Sequence, residues 1–100
     1  MREAEFQRKL ITEIKDRFQD CVVIKNDADY IQGIPDITVF WENHWATLEC
    51  KRSAKASHRP NQDYYVDKMN RMSFSAFVYP ENMEDVLDDM ERSFKGCTRR

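Results

Sequence analysis

Glycine is scarce in this chain of 100 residues, with two copies, and proline is little commoner, with three. That leaves little material for flexible linkers, and no repeat or low-complexity segment appears. The length suits one compact domain over residues 1–100 and leaves no room for two. The three cysteines, Cys21, Cys50 and Cys97, are odd in number, widely spaced and without a CxxC pair. A disulfide framework or a zinc knuckle is therefore not expected. The two histidines, His44 and His58, are too few to complete a zinc site with them. Apolar runs are only a few residues long, far short of the roughly 20 that a membrane span needs, so no membrane partner is expected. The first residues, Met1-Arg2-Glu3-Ala4-Glu5, are charged, and no secretory signal is read there. The expected setting is reducing and cytoplasmic.

What is present is a modest core and an uneven charge. Hydrophobic residues make up 41% and aromatics 12%, and a chain this small gains stability if a dimer buries more apolar surface. The net charge of −2 taken alone argues mildly against a nucleic-acid binder. Its distribution reads differently. Lys51, Arg52, Lys55, His58 and Arg59 form a basic stretch, and Glu81, Glu84, Asp85, Asp88, Asp89 and Glu91 an acidic one. A near-neutral total can hide a basic face backed by an acidic one.

Phe6, Leu10, Ile14 and Phe18 recur every four residues, with Ile11 beside them, and predict an amphipathic helix from Glu3 to Phe18. Cys21 to Lys25 is short and β-branched and reads as a strand. Asn26 to Pro35 reads as a polar loop, Ile37 to Phe40 as a second strand, Trp41 to His44 as a turn, and Trp45 to Lys51 as a third strand. After a polar loop, Pro60 suits a helix start, and the helix would run to about Met72. Phe74 to Tyr79 reads as a fourth strand. Asn82 can cap a last helix whose buried stripe is Met83, Val86, Leu87, Met90 and Phe94, with Gly96 as its stop. The order αβββαβα predicts an α/β or α+β fold with a mixed sheet.

The informative segment is Gly33-Ile34-Pro35-Asp36, followed after a gap by Glu49-Cys50-Lys51. Side chains alternate along a strand, so Glu49 and Lys51 share one face and Leu48 and Cys50 the other. The apolar face packs, which leaves Glu49 and Lys51 on the opposite side with Trp45 and Thr47. Register decides whether Asp36 joins them. With Phe40 opposite Trp45 and Thr38 opposite Thr47, Asp36 falls opposite Glu49; a slip of one residue would place it opposite Cys50, on the wrong face. A bulge near Pro35 could produce the same convergence. Two carboxylates held that close repel, and a divalent cation removes the conflict. Mg²⁺, for which Mn²⁺ would substitute, takes one or two carboxylates and completes its shell with water and phosphate oxygens. The backbone carbonyl of Cys50 is a further candidate ligand. Lys51 would add positive charge beside an attacked phosphate and orient or help deprotonate the attacking water. These parts suit hydrolysis of a phosphodiester.

The spacing of Pro35-Asp36, a gap, then Glu49-Cys50-Lys51 resembles the PD-(D/E)xK nuclease superfamily. Together with Asp29 to Ile37 and Arg59-Pro60-Asn61-Gln62, it resembles the stand-alone VRR-NUC domains of phages and bacteria, which are similar to Holliday-junction resolvases. The resemblance covers nearly the whole chain and implies a restriction-endonuclease-like αβββαβ core, with a further helix at the C-terminus here. It implies a Mg²⁺-dependent endonuclease acting on DNA, with the gene of a phage in a bacterial host as one source. Many members carry another acid on the first helix. Glu3, Glu5 and Glu13 compete for that role, and Glu3 lies on the stripe of Phe6, Leu10 and Ile14 while Glu5 points almost opposite. Glu3 would hold metal-bound water or a second cation. Gln62 would sit near the attacking water or the scissile phosphate.

Plainer readings exist for each. Glu3 could be an ordinary acid at a helix N-terminus, Gln62 a first-turn surface residue, and Arg52, Lys55, His58 and Arg59 a solvated loop rather than a DNA contact. Tyr64 and Tyr65 are more often core or interface residues than stacking platforms. The expected function is a structure-selective DNA endonuclease, suited to branched DNA and acting as a homodimer, since a four-way junction offers two symmetric strands to cut. The rival is a DNA-binding module on a nuclease fold that is non-catalytic or needs a partner protein.

Overall fold

The computed structural model describes residues 1–96, so Cys97 lies outside the described residues. The elements follow in the expected order: α1 (Glu3–Arg17), β1 (Val22–Lys25), β2 (Ile37–Trp41), β3 (His44–Cys50), α2 (Pro60–Met72), β4 (Phe74–Val78) and α3 (Met83–Phe94). The strands form one sheet in the order β1-β2-β3-β4. The first two pairings are antiparallel and the last, β3 with β4, is parallel. A parallel pair needs a crossover, and α2 supplies it. The result is an α+β fold with a central mixed sheet and a C-terminal helix. No helix among the described residues is long and apolar enough to cross a membrane.

The core lies on one face of the sheet. The four-residue repeat of α1 places Phe6, Leu10, Ile14 and Phe18 there, all fully buried. They meet Ile37, Val39, Ala46, Leu48, Cys50 and Val78 of the strands, and the stripe of α3 closes the cluster with Leu87, Met90 and Phe94. At the start of α1 the Arg2 N–H donates to Glu5 Oε1 at 2.9 Å, so Glu5 is engaged in capping the helix. At its end Arg17 reaches Asp88 at 2.7 Å, Glu84 at 3.2 Å and Glu91 at 3.4 Å, tying α1 to α3.

Two local expectations are corrected. The β2–β3 connection is a two-residue turn, Glu42-Asn43, with Trp41 paired to His44, rather than a four-residue loop. The first turn residue, Glu42, takes φ +55°. Trp41 is drawn into the strand by packing: its ring meets Phe18 at 5.5 Å and Phe94 at 5.9 Å, and its Nε1–H donates to the Gln19 carbonyl at 3.1 Å. Asn82 does not cap α3 with its side chain. That side chain turns back instead, accepting from the Tyr79 N–H at 2.8 Å and donating to the Phe77 carbonyl at 3.1 Å, which shapes the turn before the helix.

The second face is also covered, but only in part. Helix α2 lies over β3 and β4. Thr47 Oγ1 is 2.8 Å from Ser75 Oγ and 3.4 Å from Met69 Sδ beneath that helix. Toward β1 the same face is open, and Val22, Ile24 and Phe40 stand exposed on it.

Candidate active site

The β2–β3 register pairs Ile37 with Leu48, Thr38 with Thr47 and Phe40 with Trp45, as the alternation requires. One further step brings Asp36 alongside Glu49. The backbone ladder ends there and the Asp36 side chain takes over, its Oδ2 accepting from the Cys50 N–H at 2.8 Å. The Asp36 carbonyl accepts from the Asn26 N–H at 2.8 Å. Asn26 also donates through Nδ2 to the Pro35 carbonyl at 2.9 Å and to Thr38 Oγ1 at 2.8 Å, which fixes the Pro35-Asp36 turn. Sequence reasoning missed Asn26. Its only signal is an amide side chain directly after a β-branched run, rich enough in donors to close a loop.

Glu49 and Lys51 do not sit on an open face. They are 4% and 7% exposed, because α2 and the loop before it fold over the end of β3. The Lys51 N–H continues the ladder to the Val78 carbonyl at 2.8 Å. Its ammonium donates to Gln62 Oε1 at 2.7 Å and to the Ser57 carbonyl at 3.0 Å. Gln62 in turn donates from Nε2 to Glu49 Oε2 at 2.9 Å, while its Oε1 also accepts from the Arg59 N–H at 3.1 Å. One amide therefore caps α2, holds the lysine and holds the carboxylate. Lys51 and Glu49 are 3.9 Å apart, so Gln62 is the closer link between them. An ammonium has three N–H donors, and two are used here, which leaves one for a water or substrate oxygen.

The electrostatics follow from this burial. Glu49 is pushed up to about 8, first by loss of water and then by the negative charge of Asp36, with Lys51 opposing. Asp36 is raised by burial, against the pull of the Cys50 N–H and of Lys51. Glu3, exposed at the N-terminus of α1, is raised by partial desolvation and then by Asp36. It therefore lies within the field of the site, at its rim. The Cys50 thiol is on the other face, driven up to about 12 chiefly by burial, and is inert as a nucleophile.

The donor set suits a hard cation. Among the described residues, no group of three or more His, Cys, Asp or Glu side chains converges. Zinc's tetrahedral nitrogen–sulfur set is thus not provided. Asp36 and Glu49 offer two carboxylates, each made unfavourable by burial in its charged form without a counter-charge. A strand residue's N–H and C=O point to the same side, so the Cys50 carbonyl faces the edge where Asp36 receives its N–H. Two carboxylates and a carbonyl, with room for water, fit Mg²⁺ or Mn²⁺.

A cleft opens above these groups. Asp36 and Glu49 line its floor, with Gln32 and Gly33 on one wall and Arg59, Asn61 and Gln62 on the other. Of the basic stretch, Arg52, Lys55, His58 and Arg59 are exposed. His58 is held: its ring stacks on Phe77 at 3.9 Å between centroids, and Nδ1 is 2.9 Å from Asp63 Oδ1. Asp36, Glu49, Lys51 and Gln62 are thus brought together, Glu3 stands beside them, and Arg52, Lys55 and Arg59 are exposed in the adjoining segment. No protein-family model, no curated protein and no solved structure matches this chain.

Proposed function

We propose that this protein is a divalent-metal-dependent nuclease that hydrolyses phosphodiester bonds in DNA. The observation that carries the reading is the trio on the covered sheet face: half-buried Asp36 beside buried Glu49, and buried Lys51 tied to Glu49 through Gln62. A fold gains little from burying two carboxylates side by side, because one is forced toward its protonated form. A reaction centre does gain, since such a pair holds a cation where charge builds up. A bound Mg²⁺ would supply Lewis acidity and a more acidic water. Asp36, Glu49 and the Cys50 carbonyl would hold it. Lys51 would set its remaining N–H against a phosphate oxygen and stabilise the charge that develops there. Gln62 keeps both Lys51 and Glu49 in one orientation. Glu3 would steady water at the rim, and Arg52, Lys55 and Arg59 would contact the backbone of the DNA, with His58 beside them.

The resemblance of Gly33 to Asp36, Glu49 to Lys51 and Arg59 to Gln62 to VRR-NUC domains of the PD-(D/E)xK superfamily supports the same reading. It favours branched DNA as substrate, a homodimer as the working form and the cytoplasm as the setting. The test is cleavage of labelled four-way, flap and linear DNA across a Mg²⁺ and Mn²⁺ titration. Metal-dependent cutting is expected, strongest on branched forms. Binding without cutting under any divalent metal would exclude catalysis by this chain alone and leave a binding module or a subunit that needs a partner.

A further inference from the structure

The loop between β1 and β2 and the first turn of α2 form opposite walls of the cleft, and they approach closely where Gly33 meets Asn61. There Gly33 has φ +89°, and a Cβ on it would lie 2.7 Å from the Asn61 backbone carbonyl carbon and 2.8 Å from Asn61 Cβ and Cγ. That is roughly 1 Å inside ordinary carbon–carbon contact. The nearest atom belongs to the backbone, so no rotamer change relieves it.

Neither wall yields easily. The loop is closed at its base by the three Asn26 hydrogen bonds, and within it the Tyr30 and Ile31 N–H groups donate to the Asp27 carbonyl and the Ile34 N–H to the Ile31 carbonyl. The helix begins with Pro60, whose φ is fixed, and its next residues are Asn61 and Gln62. Any shift of the Asn61 backbone is passed to its neighbour Gln62, which carries the bonds to Lys51 and Glu49.

We infer that the close contact of Gly33 with Asn61 is a clasp that sets the position of Gln62, making Gly33 and Asn61 positioning residues for the site. The bare backbone at 33 lets the loop press against the helix start without a side chain between them. The wall spacing of the cleft and the lysine–glutamine–glutamate link are then set by one contact. The positional part of this inference stands on geometry alone, whereas its effect on cleavage rests on the nuclease reading.

The test uses the full chain and two readouts. The first is the Gln62 side-chain amide signal in ¹⁵N-correlated NMR spectra, assigned by its loss in Gln62→Glu. Gly33→Ala is expected to move that signal, and Gly33→Ala with Asn61→Gly, which removes two of the three contacts, to bring it part-way back. Asn61→Ile loads the same contact from the helix side without changing the loop's φ, and it serves if Gly33→Ala does not fold. The wild-type chain should itself show nuclear Overhauser contacts from the Gly33 Hα protons to Asn61. The second readout is cleavage: a displacement near 1 Å can lower turnover by about 10²-fold, with KM for DNA little changed. A folded variant with an unmoved Gln62 signal overturns the clasp, as does the absence of the wild-type contacts. If the wild-type chain never cuts DNA, the nuclease reading fails while the NMR readout still decides the clasp.

Discussion

One face of the sheet is buried throughout and the other only beneath α2, and the buried parts are filled with opposite chemistry. Against α1 and α3 lie Ile37, Val39, Ala46, Leu48 and Cys50, all without exposure. On the face that carries α2, Thr38, Thr47, Ser75, Glu49 and Lys51 are also buried, with Asp36 at the end of the same row. On the first face burial is the driving force for folding. On the second it is an expense carried by hydrogen bonds, which are complete: no buried side-chain nitrogen or oxygen among the described residues lacks a partner. Burial alone therefore does not tell an apolar packing face from one built of polar and charged groups. On the proposed nuclease reading, what separates them is whether the buried groups would be more stable if replaced.

That contrast is open to direct attack. The largest expected effect is on turnover. Asp36→Asn keeps an acceptor for the Cys50 N–H and removes one repelling charge, so cleavage should fall to background while the melting temperature holds or rises. Lys51→Ala should lower kcat by about 10²–10³-fold. Retained cleavage in either variant, followed on labelled DNA, would remove that residue from the site. Leu48→Ala, one residue along on the core face, should do the reverse: a loss of about 2–5 kcal/mol in denaturant unfolding, with activity falling only as the folded fraction falls.

The pH dependence of stability is the next largest. Folded Glu49 releases its proton near 8, whereas the unfolded chain releases it near the ordinary 4.5. The folded state therefore binds the extra proton in between, and the stability present below about 4.5 is lost as pH rises through 8. Asp36 shifts in the same direction. In metal-free buffer the melting temperature should fall over this window, and Glu49→Gln should flatten the fall. Mg²⁺ or Mn²⁺ should restore stability most at the alkaline end, because cation and proton compete for the same oxygens. A flat profile for the wild-type chain would remove the buried-carboxylate account of this face.

Smaller effects sharpen the rim. Glu3→Ala should reduce cleavage more than Glu5→Ala, while Glu5→Ala should lower stability by under about 1 kcal/mol through loss of the cap on Arg2. The reverse order in a cleavage assay would move the rim acid from Glu3 to Glu5. Last, Arg52→Ala and Lys55→Ala should each reduce the slope of log binding constant against log salt by about 1. An unchanged slope would place the DNA elsewhere.

The order of elements and the strand register were legible because both rest on short-range periodicity. Phe6 to Phe18 repeats with the helix, and Thr38 and Thr47 must face the same way if Val39 and Leu48 are to be buried. Asp36, Glu49 and Lys51 followed from that register. Gln62 was legible only by resemblance, since its bonds to Lys51 and Glu49 depend on where α2 lies across β3. The depth of burial of Glu49, the tightness of the turn at Glu42-Asn43 and the backward reach of Asn82 were not legible either. Each is decided by a partner distant in the chain or by a competing acceptor nearby, and no local pattern encodes it. Gly33 could be read as a turn glycine, but not as the residue on which Asn61 rests.

The parallel pairing of β3 with β4 has a consequence for the order of assembly. Antiparallel β2 and β3 close through the turn Glu42-Asn43 and β1 joins them through the loop 26–36, while β4 can dock only after the chain has travelled through α2, a slower, non-local event. The acidic pair is thus gathered by the early ladder, and Gln62 reaches Lys51 only with the late crossover. A refolding chain should acquire strand signal before the Gln62 link forms, so partly folded molecules would carry the acids without the amide that joins Glu49 to Lys51.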